Sequence, residues 1–338
     1  MLPYEMILAV STPKKMSRMT PIQNTQFNQG SSKVEQEPIT PYKGRFAPSP
    51  TGPLHLGSLA TALGSWLDAR AHGGQWIVRI EDVDTPRTIT GSDQIILQQL
   101  KACGLEWNEE PVWQSQRTHL YQAALEQLIN RQLVYGCTCS RKQIEEALQQ
   151  AGVILGPHEG MVYPGTCRDK LQPLDSSALR MMLPNPCTVS FIDRVMGNQS
   201  QNLNVAVGDF VLRRADSLFS YQLAVVVDDH LQGITHVVRG DDLLSNTARQ
   251  NYLQQCLGYP SPKYMHLPIV KDDAGEKLSK QTHAQAINIH QRQSVFNALN
   301  YSAGHLGIES GELIGSRTVE EWLNKAILIW QAKLKARN

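Results

Sequence analysis

The chain has 338 residues, with 32 Lys and Arg against 31 Asp and Glu for a net charge of +1. That length allows two or three packed units with a sizeable core, and the even charge excludes a generally polyanion-binding surface, so any nucleic-acid contact must be local. No run approaches the roughly 18 apolar residues of a membrane span. Six cysteines at irregular spacing do not form a disulfide framework in a chain this long, so a soluble, reducing, cytoplasmic setting is expected.

Residues 1–40 are rich in Gln, Ser, Thr, Pro and Lys without periodicity and are expected to form a disordered tail. Their early apolar run is followed, not preceded, by Lys14, Lys15 and Arg18, the wrong order for a secretory signal. Residues 44–58, GRFAPSPTGPLHLGS, read as a strand end, a rigid proline turn and a helix start. First-turn amides of such a helix lack partners inside it and its dipole favours anions, so the turn suits a phosphate. Gly57 lets a ligand approach the backbone, and the His55 imidazole can donate to a phosphate oxygen. The plainer alternative is an ordinary strand, turn and helix with an incidental histidine.

Leu56, Leu59, Ala60, Leu63, Trp66 and Leu67 carry the spacing of a helix buried on one face, which Gly73 and Gly74 end. The continuous apolar run Trp76, Ile77, Val78 and Ile80 predicts a strand covered on both faces of a parallel sheet. Strand, helix and strand make a right-handed crossover, and ligands of such sheets bind at the carboxyl ends of the strands. Arg45, Glu81, Asp82 and Asp84 fall there. Helices are expected over 92–103 and 116–132.

From 134 to about 204 the pattern turns short and irregular, which reads as an insertion, taken as 119–219, between two halves of a sheet domain at 41–118 and 220–270. Within it Cys137, Cys139 and Cys167 have metal-like spacing, and zinc normally takes four ligands. Generic chemistry offers His158 as the fourth; three unrelated buried thiols are the alternative. Cys103, Cys187 and Cys256 sit in apolar surroundings and are expected in the core. Segments 210–213, 221–227, 234–239, 246–257 and 264–270 alternate strand and helix patterns, as the second half of a doubly wound α/β sheet does. The remainder, 271–338, opens on the basic loop KDDAGEKLSKQ and then reads as helices with Trp322 and Trp330 as core candidates. Lys277, Ser279 and Lys280 could cradle a triphosphate or a departing pyrophosphate.

HLGS at 55–58 and KLSK at 277–280 resemble the HIGH and KMSKS motifs of class I aminoacyl-tRNA synthetases, and RFAPSPTGPLH, RIEDVD and VVRGDDLL resemble the glutamyl branch. The match runs from about 44 to 280. Ser58 replaces the last histidine of HIGH, and Leu278 the methionine of KMSKS. Glutamyl-tRNA synthetases carry a large anticodon-binding region after KMSKS, for which 281–338 leave no room. With the short cysteine cluster, the chain is therefore similar to the glutamyl-Q tRNA(Asp) synthetase family. That family activates glutamate without tRNA and transfers it to queuosine at the wobble position of tRNA(Asp).

The resemblance implies a class I Rossmann-type parallel sheet split by a zinc-bearing insertion, with a short C-terminal helical region. Glutamate has two carboxylates and an ammonium, so its site needs two cations and a carboxylate. Arg45 and Arg239 suit the carboxylates, Glu81 the ammonium, and Tyr221 a phenolic hydrogen bond. The family implies these same positions, with Arg45, Phe46, Ala47, Pro48 and Ser49 lining the pocket. It implies His55, Gly57, Ser58, Lys277, Ser279 and Lys280 for ATP, with His55, Gly57, Lys280 and Mg2+ sharing the phosphate charge. For zinc it points to Cys137, Cys139, Tyr163 and Cys167, a structural site, with His158 as the chemical alternative to Tyr163. Ordinary roles compete: Arg239 paired to Asp241 or Asp242, Glu81 paired to Arg79 or Arg87, Tyr221 in the core. The implied partners are ATP, L-glutamate and queuosine-bearing tRNA(Asp), with no membrane and a monomeric chain. A compact glutamyl-tRNA synthetase charging a 3′ end, and a non-catalytic tRNA-binding paralogue, are the rival readings.

Overall fold

Parallel strands cannot be joined by tight hairpins, so the chain alternates strand and helix wherever it builds its main sheet. The computed structural model describes residues 41–152, 161–271 and 285–336. In chain order these form β1 (Lys43–Phe46), α1 (Leu56–Ala71), β2 (Gln75–Ile80), α2 (Ser92–Ala102), β3 (Val112–Trp113), α3 (Thr118–Asn130), β4 (Val134–Cys137) and α4 (Arg141–Gln150). There follow β5 (Ala178–Met181), β6 (Thr188–Asp193), β7 (Gly197–Asn202), α5 (Leu203–Ala206), β8 (Val211–Arg213), α6 (Tyr221–Leu231), β9 (His236–Gly240), α7 (Leu244–Leu257), β10 (Lys263–Leu267), α8 (Arg292–His305) and α9 (Val319–Lys335). The expected disordered tail at 1–40 lies outside the described residues.

The main sheet has seven strands in the order β3-β2-β1-β9-β10-β6-β7, parallel throughout except for the antiparallel edge pair β6–β7. The chain runs outward from β1 to β2 on one side and from β9 to β10 on the other. Strand order therefore reverses between β1 and β9, and the carboxyl ends of these two strands flank the crevice where ligands of open α/β sheets bind. Two layers of apolar packing cover the sheet. Phe46, Trp76, Val78, Ile80, Met265 and Leu267 pack with α1, α8 and α9, and α3, α6 and α7 build a second cluster around Tyr121, Leu128, Leu223 and Leu253.

Two expectations change. Helix α1 is buried almost all round from Leu59 to Ala69 instead of on one face, because α8 and α9 from the far end of the chain pack on it. A helix without a solvent face needs no amphipathic stripe, and its pattern understates its burial. Segment 210–213 is a strand, but β8 belongs to a separate three-stranded sheet with β4 and β5. Conversely β6 and β7, from within 119–219, extend the main sheet beside β10. A strand's pattern reports burial of its faces and does not choose its neighbours.

Trp322 and Trp330 are buried, their indole N–H groups donating to Asn300 Oδ1 at 2.8 Å and Asp68 Oδ1 at 3.2 Å. Burying side chains of this kind contributes on the order of 2 kcal/mol each. Cys103 and Cys187 are buried and Cys256 half-buried, and burial pushes the Cys103 thiol up to about 12 and Cys187 to about 11. Among the described residues no helix is long and apolar enough to cross a membrane.

Candidate active site

The turn between β1 and α1 is held on both sides. Glu81 N–H, just past β2, donates to Pro48 O at 3.0 Å, and Ile89 N–H donates to Pro50 O at 2.9 Å. Further on, buried Gln99 of α2 accepts from Leu54 N–H at 2.6 Å and donates to Ile287 O at 3.2 Å, while Ile287 N–H donates to Leu54 O at 2.9 Å. The segment just past the KLSK loop is thereby stitched to the HLGS turn, with Ala286 bridged to His55. Lys277, Ser279 and Lys280 themselves lie outside the described residues, as does His158.

His55 is the N-cap of α1. Its backbone N–H donates to Ser58 Oγ at 2.8 Å, and its Nδ1 accepts from Ser58 N–H at 3.4 Å. An Nδ1 that accepts puts the ring proton on Nε2, the tautomer that can donate to a phosphate oxygen. Gly57 lies in the same first turn, where amide groups lack helical partners.

Around the switch point the expected pocket residues converge. Arg45 at the end of β1 is 4% exposed and donates from Nε to Asp229 Oδ1 at 3.1 Å. Its terminal nitrogens have no hydrogen-bond partner among the described residues. Arg79 is fully buried, and its nitrogens lie 2.8 Å from Asp229 Oδ1 and 3.1 Å from Glu81 Oε1. The ordinary Glu81–Arg79 pairing thus exists, inside a larger network. Burial lifts the Glu81 carboxyl above its ordinary range, with Arg79 and Arg45 opposing and Asp229 reinforcing the rise. Burial also acts to raise Asp229, but Arg45 and Arg79 outweigh it and hold that carboxyl low.

Arg239 closes β9 and is 4% exposed. It makes no ion pair with Asp241 or Asp242. Its three nitrogens donate to neutral groups: Nε to His266 Nε2 at 3.1 Å, Nη1 to Gln250 Oε1 at 2.8 Å and Nη2 to Thr247 Oγ1 at 2.9 Å. Tyr221 opens α6, with burial raising its phenol while Arg239, Glu81 and Arg45 act on it. Phe46 turns its ring into the core against Trp76, so only its backbone can line a pocket; Ala47 is half-buried and Ser49 exposed. Arg45, Glu81 and Arg239 all act electrostatically on Tyr221, and two guanidinium groups with N–H groups to offer, an ionisable acid and a phenol match a ligand with two carboxylates and one ammonium.

Sequence reasoning missed Asp229, Gln250, Thr247, His266 and Asp193. Asp228 and Asp229 carried a signal, since they follow the buried run Val225–Val227 of α6, both about two turns beyond Tyr221, and acids so placed must find partners.

The second cluster sits beside the three-stranded sheet. Sγ atoms of Cys137, Cys139 and Cys167 lie within 4.8 Å of one another, with Cys139 and Cys167 at 3.4 Å and Tyr163 Oη at 3.3 Å from Cys137 and 3.7 Å from Cys139. Metal–sulfur bonds of about 2.3 Å in a tetrahedron leave sulfurs about 3.8 Å apart, so the donors fit a metal ion with little movement. Tyr163 is held at Gly208, where φ is +69° and a Cβ would stand 2.6 Å from the Tyr163 carbonyl oxygen. Only glycine adopts that backbone without strain. The Arg180 guanidinium lies 3.7 Å over the Tyr163 ring and the Cys167 N–H donates to its oxygen at 2.9 Å, but burial and the hydrogen bonds to the three cysteine side chains outweigh that N–H and raise the phenol above its ordinary range. At Cys167 burial raises the thiol, but the Thr138 N–H and Tyr163 outweigh it and bring it to about 7.

Residues 42–299 match the family model of class I tRNA synthetases (E and Q), catalytic domain. The chain is 52% identical over 308 residues to a glutamyl-Q tRNA(Asp) synthetase of Albidiferax ferrireducens, covering 84% of this chain and 98% of the relative. It is 52% identical to the protein of that name from Burkholderia orbicola, covering 88% of this chain and 98% of the relative. The fold resembles a glutamate tRNA ligase of Elizabethkingia meningosepticum solved in complex with its amino acid, with a TM-score of 0.62 and 30% identity over 71% of this chain. The match spans 52% of that ligase's length. With one family model across most of the fold, and relatives aligned over nearly their whole length, the chain belongs to the class I tRNA synthetases and, within them, to the glutamyl-Q tRNA(Asp) synthetase family.

Proposed function

We propose that the protein activates L-glutamate with ATP in the absence of tRNA and transfers the glutamyl group to queuosine at the wobble position of tRNA(Asp). The observation that carries the activation half is that Arg45 and Arg239, each buried and with terminal N–H groups to offer, and Glu81 all act on one residue, Tyr221. The acceptor is supported by the relatives at 52% identity that carry that name.

In the first step a glutamate α-carboxylate oxygen bonds to the α-phosphorus of ATP and the bond to pyrophosphate breaks. The carboxylate is itself the nucleophile, so no side chain has to move a proton, and catalysis is positioning plus charge neutralisation. Arg45 and Arg239 hold carboxylates and Glu81 the ammonium, with Tyr221 adding a hydrogen bond. His55 and the first turn of α1 at Gly57 meet the phosphates, and Lys277 and Lys280 neutralise the departing pyrophosphate while Ser279 donates a hydrogen bond to it. Mg2+ bound with ATP supplies further charge neutralisation. Cys137, Cys139, Tyr163 and Cys167 would hold a zinc ion in a structural role, with all four donors supplied by the protein.

The test is to charge tRNA with radioactive glutamate and locate the label. We expect the label to stay with the anticodon nucleoside after nuclease digestion and to be acquired equally by tRNA whose 3′-terminal adenosine has been removed; label lost with that adenosine would indicate a compact glutamyl-tRNA synthetase. Absence of glutamate-dependent pyrophosphate exchange without tRNA would indicate a non-catalytic paralogue.

A further inference from the structure

Arg239 is oriented by a buried relay that begins on β6, two strands away from β9 on the same side of the sheet. His266, fully buried on β10, accepts from Arg239 Nε through its own Nε2 at 3.1 Å. On its far side Nδ1 lies 2.7 Å from Asp193 Oδ2, at the end of β6. Asp193 is 1% exposed and its Oδ1 also accepts from the backbone N–H groups of Val195 at 2.9 Å and Met196 at 2.8 Å, while Oδ2 accepts from His266 N–H at 3.1 Å.

A guanidinium only donates and an ionised carboxylate only accepts, so the imidazole between them has one consistent assignment: proton on Nδ1, lone pair on Nε2. The other tautomer, or a doubly protonated ring, would set N–H against N–H at Arg239. We propose that Asp193 and His266 are positioning residues for Arg239: the carboxylate fixes the tautomer, and the imidazole lone pair fixes the guanidinium so that the N–H left on each terminal nitrogen meets a substrate carboxylate. The neutral ring is the useful part of the device. A carboxylate placed directly on Arg239 would orient it equally well but would neutralise it and compete with the substrate, whereas the imidazole passes on the orientation and keeps the anion one residue further away. This inference rests on the reading of Arg239 as a glutamate ligand.

The test uses the full chain and tRNA-free, glutamate-dependent pyrophosphate exchange, with KM measured separately for glutamate and ATP. His266→Asn keeps a donor near Nδ1 for Asp193 but removes the acceptor for Arg239; His266→Gln puts an amide oxygen near the Nε2 position. We expect His266→Asn to raise the glutamate KM about tenfold, the loss of one charge-assisted hydrogen bond, with the ATP KM within about twofold, and His266→Gln to recover most of it. An unchanged glutamate KM in His266→Asn, or equal impairment of both substrates' KM in both variants, overturns the relay. Arg239→Lys is assayed in parallel: if it leaves the glutamate KM unchanged, the reading of Arg239 fails; if it impairs glutamate alone while His266→Asn does not, only the relay fails. Should His266→Asn not fold, nitrogen-15 NMR of the wild type decides, since His266 found protonated on Nε2 at neutral pH overturns the assignment.

Discussion

Glu81 and Asp229 meet the same Arg79 side chain, and burial acts on both in the same direction, yet they end on opposite sides of the ordinary carboxylate range. Asp229 has two guanidinium groups in direct contact. Glu81 has one, and it faces the Asp229 charge besides. An acid whose pKa is raised on folding adds stability that is present at low pH and lost as pH rises through the raised value, so above that value ionised Glu81 weighs against the fold. Glu81→Gln is therefore expected to melt at or above the wild-type temperature at neutral pH while the glutamate KM rises about tenfold or more, read by thermal unfolding and by pyrophosphate exchange. On acidification the wild type should lose glutamate affinity at a higher pH than an ordinary carboxylate would give, and the variant should lack that limb. Arg45, Glu81 and Arg239 were legible in the sequence as candidates, because the family resemblance implied a zwitterion with two carboxylates and such a ligand dictates its partners' charges. Asp229 was not, because the contact that makes it part of the site spans 184 positions of chain.

At the scale of elements, α1 shows how one residue serves a fold and a motif together. Where the family's motif ends in histidine, Ser58 here closes a reciprocal cap, its hydroxyl accepting the His55 N–H and its own N–H meeting the imidazole. Ser58→Ala should cost about 1 kcal/mol of stability and raise the ATP KM, since the cap also sets the tautomer of His55; an unchanged ATP KM would restrict Ser58 to the fold. Periodicity located α1, α2, α3, α7 and the strands β1, β2, β9 and β10 to within a few residues, because each is patterned by its own burial. The partners of β8, and the burial of α1 on every side, depend on segments far along the chain and left no local trace. The cysteine cluster lies between these cases. Spacing offered three ligands and the family resemblance added Tyr163, while the parts played by Arg180 and Gly208 emerge only from the fold. One equivalent of zinc is expected by metal analysis of the purified protein, with less in Cys139→Ser.

Across the whole molecule, Asp68 of α1 is the point where distant segments meet. Wholly buried, it accepts from Tyr42 Oη at 2.6 Å, from both terminal nitrogens of Arg194 at 2.5 and 3.0 Å, and from the Trp330 indole at 3.2 Å. Burial acts to raise its pKa, but Arg194, Tyr42 and Trp330 outweigh this and hold it low. The sign is opposite to that of Glu81: this stability is present above the ordinary carboxylate pKa and is lost as pH falls through the lowered value. Asp68→Ala should cost about 3 kcal/mol in equilibrium unfolding, the low end for breaking a buried pair because Arg194 stays 24% exposed, and should flatten the acid limb of the stability profile. The neutral cradle of Arg239 has a similar reach, drawing on α7, on β10 and, through Asp193, on β6. A guanidinium surrounded by uncharged acceptors favours an anion over the isosteric amide, whose N–H groups would face its own. On the proposed reading, discrimination of glutamate from its near twin glutamine is expected to depend on complete assembly of the sheet, and a variant that loosens β6 should reveal itself first as lost fidelity, before any loss of turnover.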